Sequence, residues 1–259
     1  MKDKVKVKKY KINWQSKKYE VLVPYIERNS LWVGGLETED GNGILGTWEG
    51  LNALSVAFEI ASRNPHTIIY LPIRDFLIPD VDSVMQQIGY GKTGLLDIVI
   101  TSTGAQLKRS DWKEIRKKLK HASFESISIS YHFDKYDEVE SYQIDQMING
   151  ALNDYLAGTF FIVYPKEYLK LTSSNIHEWL NEINKDENYT LEYIEKYNDF
   201  IFHDFYTDVW NFSFPNHNYK GNKLMCGFYL DCWDTNVMKK LLKRPIEMLT
   251  WNEMKEKLK

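Results

Sequence analysis

One stretch, residues 67–104, limits what this chain can fold into more than any other. It reads TIIYLPIRDFLIPDVDSVMQQIGYGKTGLLDIVITSTG. Two apolar, β-branched runs, 67–71 and 95–100, flank a segment, 81–88, that can be helical. Each run is too short for an ordinary helix and is bounded by turn residues: Pro72 after the first, Gly94 and 101–104 around the second. Strand, helix and strand over such a length predict a βαβ unit with parallel neighbours buried on both faces. Strand-like runs recur near 67, 95, 125 and 159 with helical patterns between them, the rhythm of successive βα units. The expected class is therefore α/β, or mixed α+β. It would have a mostly parallel central sheet, an antiparallel N-terminal meander and an aromatic-rich mixed C-terminal part.

The flanks fill in this outline. Residues 5–14 alternate in two registers: Val5 and Val7 fall on one side, Tyr10, Ile12 and Trp14 on the other. A bulge near Lys8–Lys9 would reconcile them. The lysines of this strand suit the protection of an exposed edge, with a basic nucleic-acid arm as the sharper alternative. A second strand, 20–26, follows a hairpin connection at 15–19, and Pro24 puts it at an edge or ends it early. Residues 31–36 and 44–48 read as another hairpin around the loop 37–43. Leu51, Leu54, Ala57, Phe58 and Ala61 mark one face of a helix over 48–62, capped by Thr47, with Gly50 unfavourable in its first turn. Ser110 is the expected N-cap of a helix over 110–119. Beyond it the pattern predicts a strand at 124–133, a helix at 139–156, a strand at 159–164 ended by Pro165, and helices at 174–183 and 191–197. Residues 199–214 fit a helix face and a strand equally. A loop at 215–222, a strand at 224–230 and helices at 236–242 and 251–258 complete the reading. The chain reads as one globular domain, 1–259, and a subdomain boundary, if present, falls near 165–174.

Composition narrows the functional classes. The chain has 259 residues, 43% hydrophobic and 27% charged, enough to bury a sizeable core. Its formal net charge is −3, so general nucleic-acid affinity is not expected. The charge is uneven. Residues 1–129 hold 19 Lys and Arg against 15 Asp and Glu, and residues 130–259 hold 14 against 21. An acidic second half favours a basic protein partner. Cys226 and Cys232 lack a second pair and lie too far apart on one strand to bridge, so they read as free thiols in a reducing compartment. No metal or cofactor is expected. No apolar run reaches the length of a membrane span, and the N-terminal residues lack an apolar signal core, so a cytoplasmic protein without membrane contact is expected. Abundant Lys, Asn, Ile and Tyr suggest an AT-rich bacterial or phage source.

Several motifs invite a chemical reading. Gly41, Gly43 and Gly46 match GxGxxG, but the acidic run 37–40 would repel a phosphate, and a hairpin explains the same glycines. Gly89-Tyr-Gly91-Lys92-Thr93 ends like a phosphate loop, yet its order of helix then strand is reversed and Gln86 stands where the motif needs Gly. Asp97-Ile-Val-Ile-Thr-Ser-Thr-Gly104 resembles a late strand of nucleotide-binding Rossmann domains over about nine residues. That resemblance implies a ligand at the carboxyl rim of the sheet, on Thr101, Ser102, Thr103 and Gly104. Arg74 and Asp75 follow the 67–71 strand and would share that rim, where a local ion pair is their plainer role. His203-Asp204 resembles the metal-binding pair of HD phosphohydrolases, which would need His177 and Asp231 as partners. That fold is all helical, and strands flank this pair. His132 with Asp134 and Asp137 fits a solvated loop.

With no catalytic set complete, the expected function is protein binding, as in an immunity or inhibitor protein. The expected face carries Trp210, Tyr219 and Trp233 as aromatic anchors, with Asp231 and Asp234 among the acids that steer a basic partner. The alternative is an α/β enzyme with a small-molecule or nucleotide site at the 101–104 and 74–75 rim, and a structural subunit is a third option.

Overall fold

The computed structural model of the chain describes residues 3–28, 30–35, 41–75, 96–133, 151–156, 158–183, 203–214 and 217–231. Within them the order is β1 (Asp3–Trp14), β2 (Lys17–Pro24), β3 (Leu31–Gly35), β4 (Gly41–Thr47), α1 (Trp48–Arg63), β5 (Thr67–Leu71) and β6 (Asp97–Ser102). A 3-10 turn (Thr103–Ala105), α2 (Arg109–Leu119), β7 (Glu125–Tyr131), β8 (Leu152–Leu156), β9 (Thr159–Tyr164), α3 (Lys166–Ile183), β10 (His203–Phe214) and β11 (His217–Asp231) follow.

Two sheets result. One has seven strands in the order β7-β1-β2-β5-β6-β9-β8, the other four in the order β10-β11-β4-β3. The strands expected near 67, 95, 125 and 159 are all present, and all four lie in the seven-stranded sheet. The α/β class holds, with a mixed sheet. Only β2–β5 and β6–β9 are parallel, whereas β1–β2, β1–β7, β5–β6 and β8–β9 are antiparallel. The parallel pairing expected of 67–71 with 95–100 is therefore corrected: Ile68 faces Thr101 and Leu71 faces Ile98 in an antiparallel ladder. A connection as long as 72–96 permits a crossover but does not compel one. The helix expected at 81–88 lies outside the described residues, as do those at 191–197, 236–242 and 251–258.

A buried cluster lies on each face of the large sheet, which explains the double register of β1. Val7 joins the core shared by α1 and α3, with Val5 packed against it, while Ile12 joins the core under α2 with Tyr10 and Trp14. The ladders to β2 and β7 run without a register shift, so no bulge is needed. Alternate side chains simply meet different layers in the two halves of the strand. Nor is β1 an edge, since β2 and β7 flank it. Its hairpin to β2 closes through Gln15 and Ser16, with Gln15 at φ 51°. β2 is also internal and stops at Pro24.

α1 is the hub. Leu51, Leu54, Ala57, Phe58 and Ala61 are buried as its periodicity predicts, and so are Val56 and Ile60, because the helix is enclosed on several sides. Its core includes Leu31, Val33 and Ile44 from the four-stranded sheet, Ile69, Ile98 and Ile162 from the seven-stranded one, and Leu169 and Ile176 from α3. Ser55 Oγ donates to the Ser173 carbonyl at 2.9 Å, and Ser173 Oγ returns the bond to the Ser55 carbonyl at 2.8 Å. Two buried hydroxyls are thus satisfied where α1 and α3 meet. Gly50 allows the helix to begin where it does: a Cβ there would lie 1.8 Å from the Ser30 carbonyl oxygen.

Other expectations need correction. α2 begins at Arg109 with Lys108 as N-cap, so Ser110 is inside the helix. Residues 152–156, expected as the end of a helix, form β8, because pairing with β9 decides their conformation. Residues 217–222, expected as loop, belong to β11, and the ambiguous 203–214 form β10. Among the described residues no helix is long and apolar enough to cross a membrane.

Candidate functional site

The charged centre of the large sheet is Asp97, the first residue of β6 and 1% exposed. Its Oδ1 accepts the backbone N–H of Arg74 at 3.1 Å, and its Oδ2 accepts the Tyr70 hydroxyl at 2.9 Å and Arg74 Nη2 at 2.5 Å. Arg116 Nη1, from α2, stands 3.6 Å from the same oxygen. The backbone N–H of Asp97 donates to the Gly158 carbonyl at 3.0 Å. Gly158 has φ +77°, and a Cβ on it would sit 3.0 Å from Arg74 Nη1, so glycine suits both the turn and the guanidinium above it. Burial, and then the adjacent carboxylate, push the Tyr70 phenol well above its ordinary range, so it stays protonated and donates. Trp112 meets the Tyr70 ring edge-on, with centroids 5.0 Å apart.

This arrangement is a clasp. The Asp97 carboxylate gathers the end of β5, the start of β6 and α2, and its backbone N–H holds the β8–β9 turn. Its oxygens are occupied by donors, and the phenol beside it holds its proton, so neither is set up as a general base. The expected local pair of Arg74 with Asp75 is replaced by the long-range pair with Asp97, and Asp75 is exposed. Sequence reasoning missed Asp97 as the centre. The available signal was a lone acid heading an otherwise apolar strand.

The expected ligand rim is not assembled. Because β5 and β6 are antiparallel, Arg74 and Asp75 sit by the start of β6, and Thr101–Gly104 at its far end, roughly 15 Å away at about 3.3 Å per residue. The residues at the far end have structural partners. Thr101 Oγ1 donates to the Thr67 carbonyl at 2.8 Å and Ser102 Oγ to the Pro65 carbonyl at 3.4 Å. Thr103 opens the 3-10 turn, and Gly104 lies so close to Pro65 that an added Cβ would be 2.8 Å from the proline Cβ.

The remaining motifs resolve in the same way. Gly41, Gly43 and Gly46 lie within β4, Gly43 and Gly46 paired with β3 and β11 and Gly41 with β11, and not in a phosphate loop. The loop expected at 37–43 therefore gives way to strand from Gly41. Residues 89–93 lie outside the described residues. His203 and Asp204 open β10 as neighbours on a strand, so they belong to opposite faces. His177 on α3 stacks on Phe133, with ring centroids 3.8 Å apart, and shares a 2.9 Å hydrogen bond with Asn181 Nδ2. Burial lowers its pKa below the ordinary value. Among the described residues no group of three or more His, Cys, Asp or Glu could hold a metal. Cys226 lies in β11 opposite Thr207 and Gly46, and Cys232 is outside the described residues.

The four-stranded sheet sorts the expected protein-binding residues. Ile44, Phe228 and Phe205 share a cross-strand row, and Ile44, Leu31 and Val33 are buried in the α1 core, which marks that face as the inner one. Alternation puts Asp204, Tyr206, Asp208, Trp210 and Phe212 of β10 on the other face. Tyr229 and Asp231 of β11 share it, as does Lys223, the register partner of Trp210. Tyr219 falls in the irregularity between the pairs Ser213–Lys220 and Phe214–His217. Trp233 and Asp234 are outside the described residues. Comparison with protein-family models, with curated proteins and with solved structures finds no match to this chain.

Proposed function

We propose that this chain is a binding protein that captures a basic protein partner on the outer face of the four-stranded sheet, the role of an immunity or inhibitor protein. One observation carries the reading: the unbroken β10–β11 register from His203–Leu230 to Ser213–Lys220, which aligns Asp204, Asp208, Trp210 and Asp231 on one face. Tyr206, Phe212 and Tyr229 fall on the same face by register. Aromatic anchors ringed by polar groups are the make-up of binding hot spots, and acids around them speed capture of a basic partner. The acidic excess of residues 130–259 has the same sign.

The test is affinity capture from a lysate of the source organism, with the captured protein identified and its binding then measured with purified components. Trp210→Ala is expected to weaken binding by about 2 kcal/mol or more with its melting temperature unchanged. Replacing Asp204 and Asp208 by Lys should slow association and remove its salt dependence. If both variants fold and capture the partner as the parent does, this face is not the binding surface.

A further inference from the structure

The large sheet carries a second surface, independent of the reading above. It begins with the lysines of β1, which an exposed edge would explain, yet β1 lies between β2 and β7. Lys4, Lys6 and Lys8 fall on one face, and their partners across the ladder are Ser130, Ser128 and Ser126. The acids of these three strands, Asp3, Glu20 and Glu125, occupy the alternate positions and hence the opposite face, where Lys9 pairs with Glu20. The face with Lys4, Lys6 and Lys8 therefore has ammonium and hydroxyl groups and no carboxylate from its own strands.

α2 covers the other half of this face, over Ile12, Tyr19 and Val21, while Lys4, Lys6, Ser126 and Ser128 stay exposed. Two aromatic rings stand at the inner end of the lysine row. Tyr25 is 53% exposed and Phe124 49%. Both are held in place. Tyr10 backs Phe124 at 5.4 Å between centroids, and the Tyr25 hydroxyl is 3.3 Å from Ser126 Oγ. Lys8 Nζ lies 5.4 Å from the Tyr25 ring centre and 5.2 Å from that of Phe124.

We infer that this lane binds single-stranded nucleic acid, with phosphates on Lys4, Lys6 and Lys8 and bases stacked on Tyr25 and Phe124. Exposed rings beside a basic track on a sheet face are how such surfaces hold unpaired strands without reading sequence. Lysines two residues apart are about 6.8 Å apart along the strand, a step that successive phosphates of an extended single strand can follow. An acidic peptide would use the lysines but leave both rings idle. An anionic membrane would call for apolar groups reaching beyond the lysines, whereas the Tyr25 hydroxyl is tied to Ser126 and both rings stand beside Lys8 Nζ. The net charge of −3 argued against nucleic acid, but it averages a basic first half with an acidic second, and binding responds to the local field.

The experiment titrates a fluorescent oligothymidylate of about 15 nucleotides with the full chain, following anisotropy between about 50 and 200 mM salt. Binding is expected with a log–log salt slope of about −2, three phosphates at about −0.7 each. Phe124→Ala and Tyr25→Ala should each weaken it roughly 5- to 150-fold, the range a stacked base contributes. Lys6→Gln should make the slope shallower by about 0.7. Melting curves check folding. If Tyr25→Ala proves unstable, Phe124→Ala and Lys6→Gln alone decide the question. Absence of binding at the lowest salt overturns the inference. So does binding that both ring variants leave unchanged, or competition by polyglutamate or phosphatidylserine vesicles as effective per charge as by the oligonucleotide.

Discussion

Asp97 shows how much a single residue can hide from a reading of the sequence. An acid at the head of Ile98-Val99-Ile100 is conspicuous, but its partners Arg74 and Arg116 cannot be assigned until the direction of β6 is known. Once β6 runs antiparallel to β5, the end of one strand meets the start of the other, and Arg74 falls beside Asp97. Removing the carboxylate leaves two guanidinium groups without their shared partner, and breaking a buried pair in this way typically costs about 3–5 kcal/mol. The side chains of Arg74 and Arg116 are 30% and 27% exposed and can turn toward water, so Asp97→Ala should cost near 3 kcal/mol. Asp97→Asn keeps an oxygen acceptor and should cost less. Urea unfolding with an unchanged slope measures both, and a loss under about 1 kcal/mol for Asp97→Ala would contradict the clasp. The hydroxyls at Thr101 and Ser102 taught the opposite lesson. They were legible as polar groups at a strand end, but their engagement with the 65–67 backbone was not, since it depends on a neighbouring strand.

At the level of elements, what was legible is what depends on local pattern. The apolar runs at 67–71, 95–100 and 159–164 announced buried strands, and the three- and four-residue spacing from Leu51 to Ala61 announced α1. Pairing direction was not legible, because antiparallel and parallel neighbours buried on both faces share one composition. The two registers of β1 were visible as well, but they reflect two packing layers rather than a bulge. Gly50 is a similar case. By propensity, alanine would improve the first turn of α1 by about 1 kcal/mol. The contact with the Ser30 carbonyl reverses the sign, since a Cβ 1.8 Å from that oxygen forces the helix and the 30–31 backbone apart. Gly50→Ala is expected to lower stability by about 1–3 kcal/mol, the usual cost of overpacking. A melting temperature at or above that of the parent would show that the close approach is dispensable.

On the scale of the whole molecule, charge and topology are both long-range properties. The acidic and basic halves were countable in the sequence, but not their sorting onto a lysine face of one sheet and an acid-bearing face of the other, which depends on register. Topology also sets the order in which the chain can be completed. β4 lies between β3 and β11, yet Met225, which faces Thr47, comes 178 residues later (225 − 47). At the usual pace of synthesis, about 5–20 residues per second, the ribosome needs roughly 10–40 s to bring β11 out after β4. For that interval β4 leaves unpaired the row of backbone groups that β11 will cover, the template on which strands of other chains add. A chain ended at residue 200 keeps that row permanently. It should elute as dimers or larger species in light-scattering chromatography, and a monodisperse monomer melting like the full chain would refute this. Crowded translation of many copies on one message should therefore be the step most prone to aggregation, and slowing initiation should raise the yield of folded protein more than any change to the finished fold.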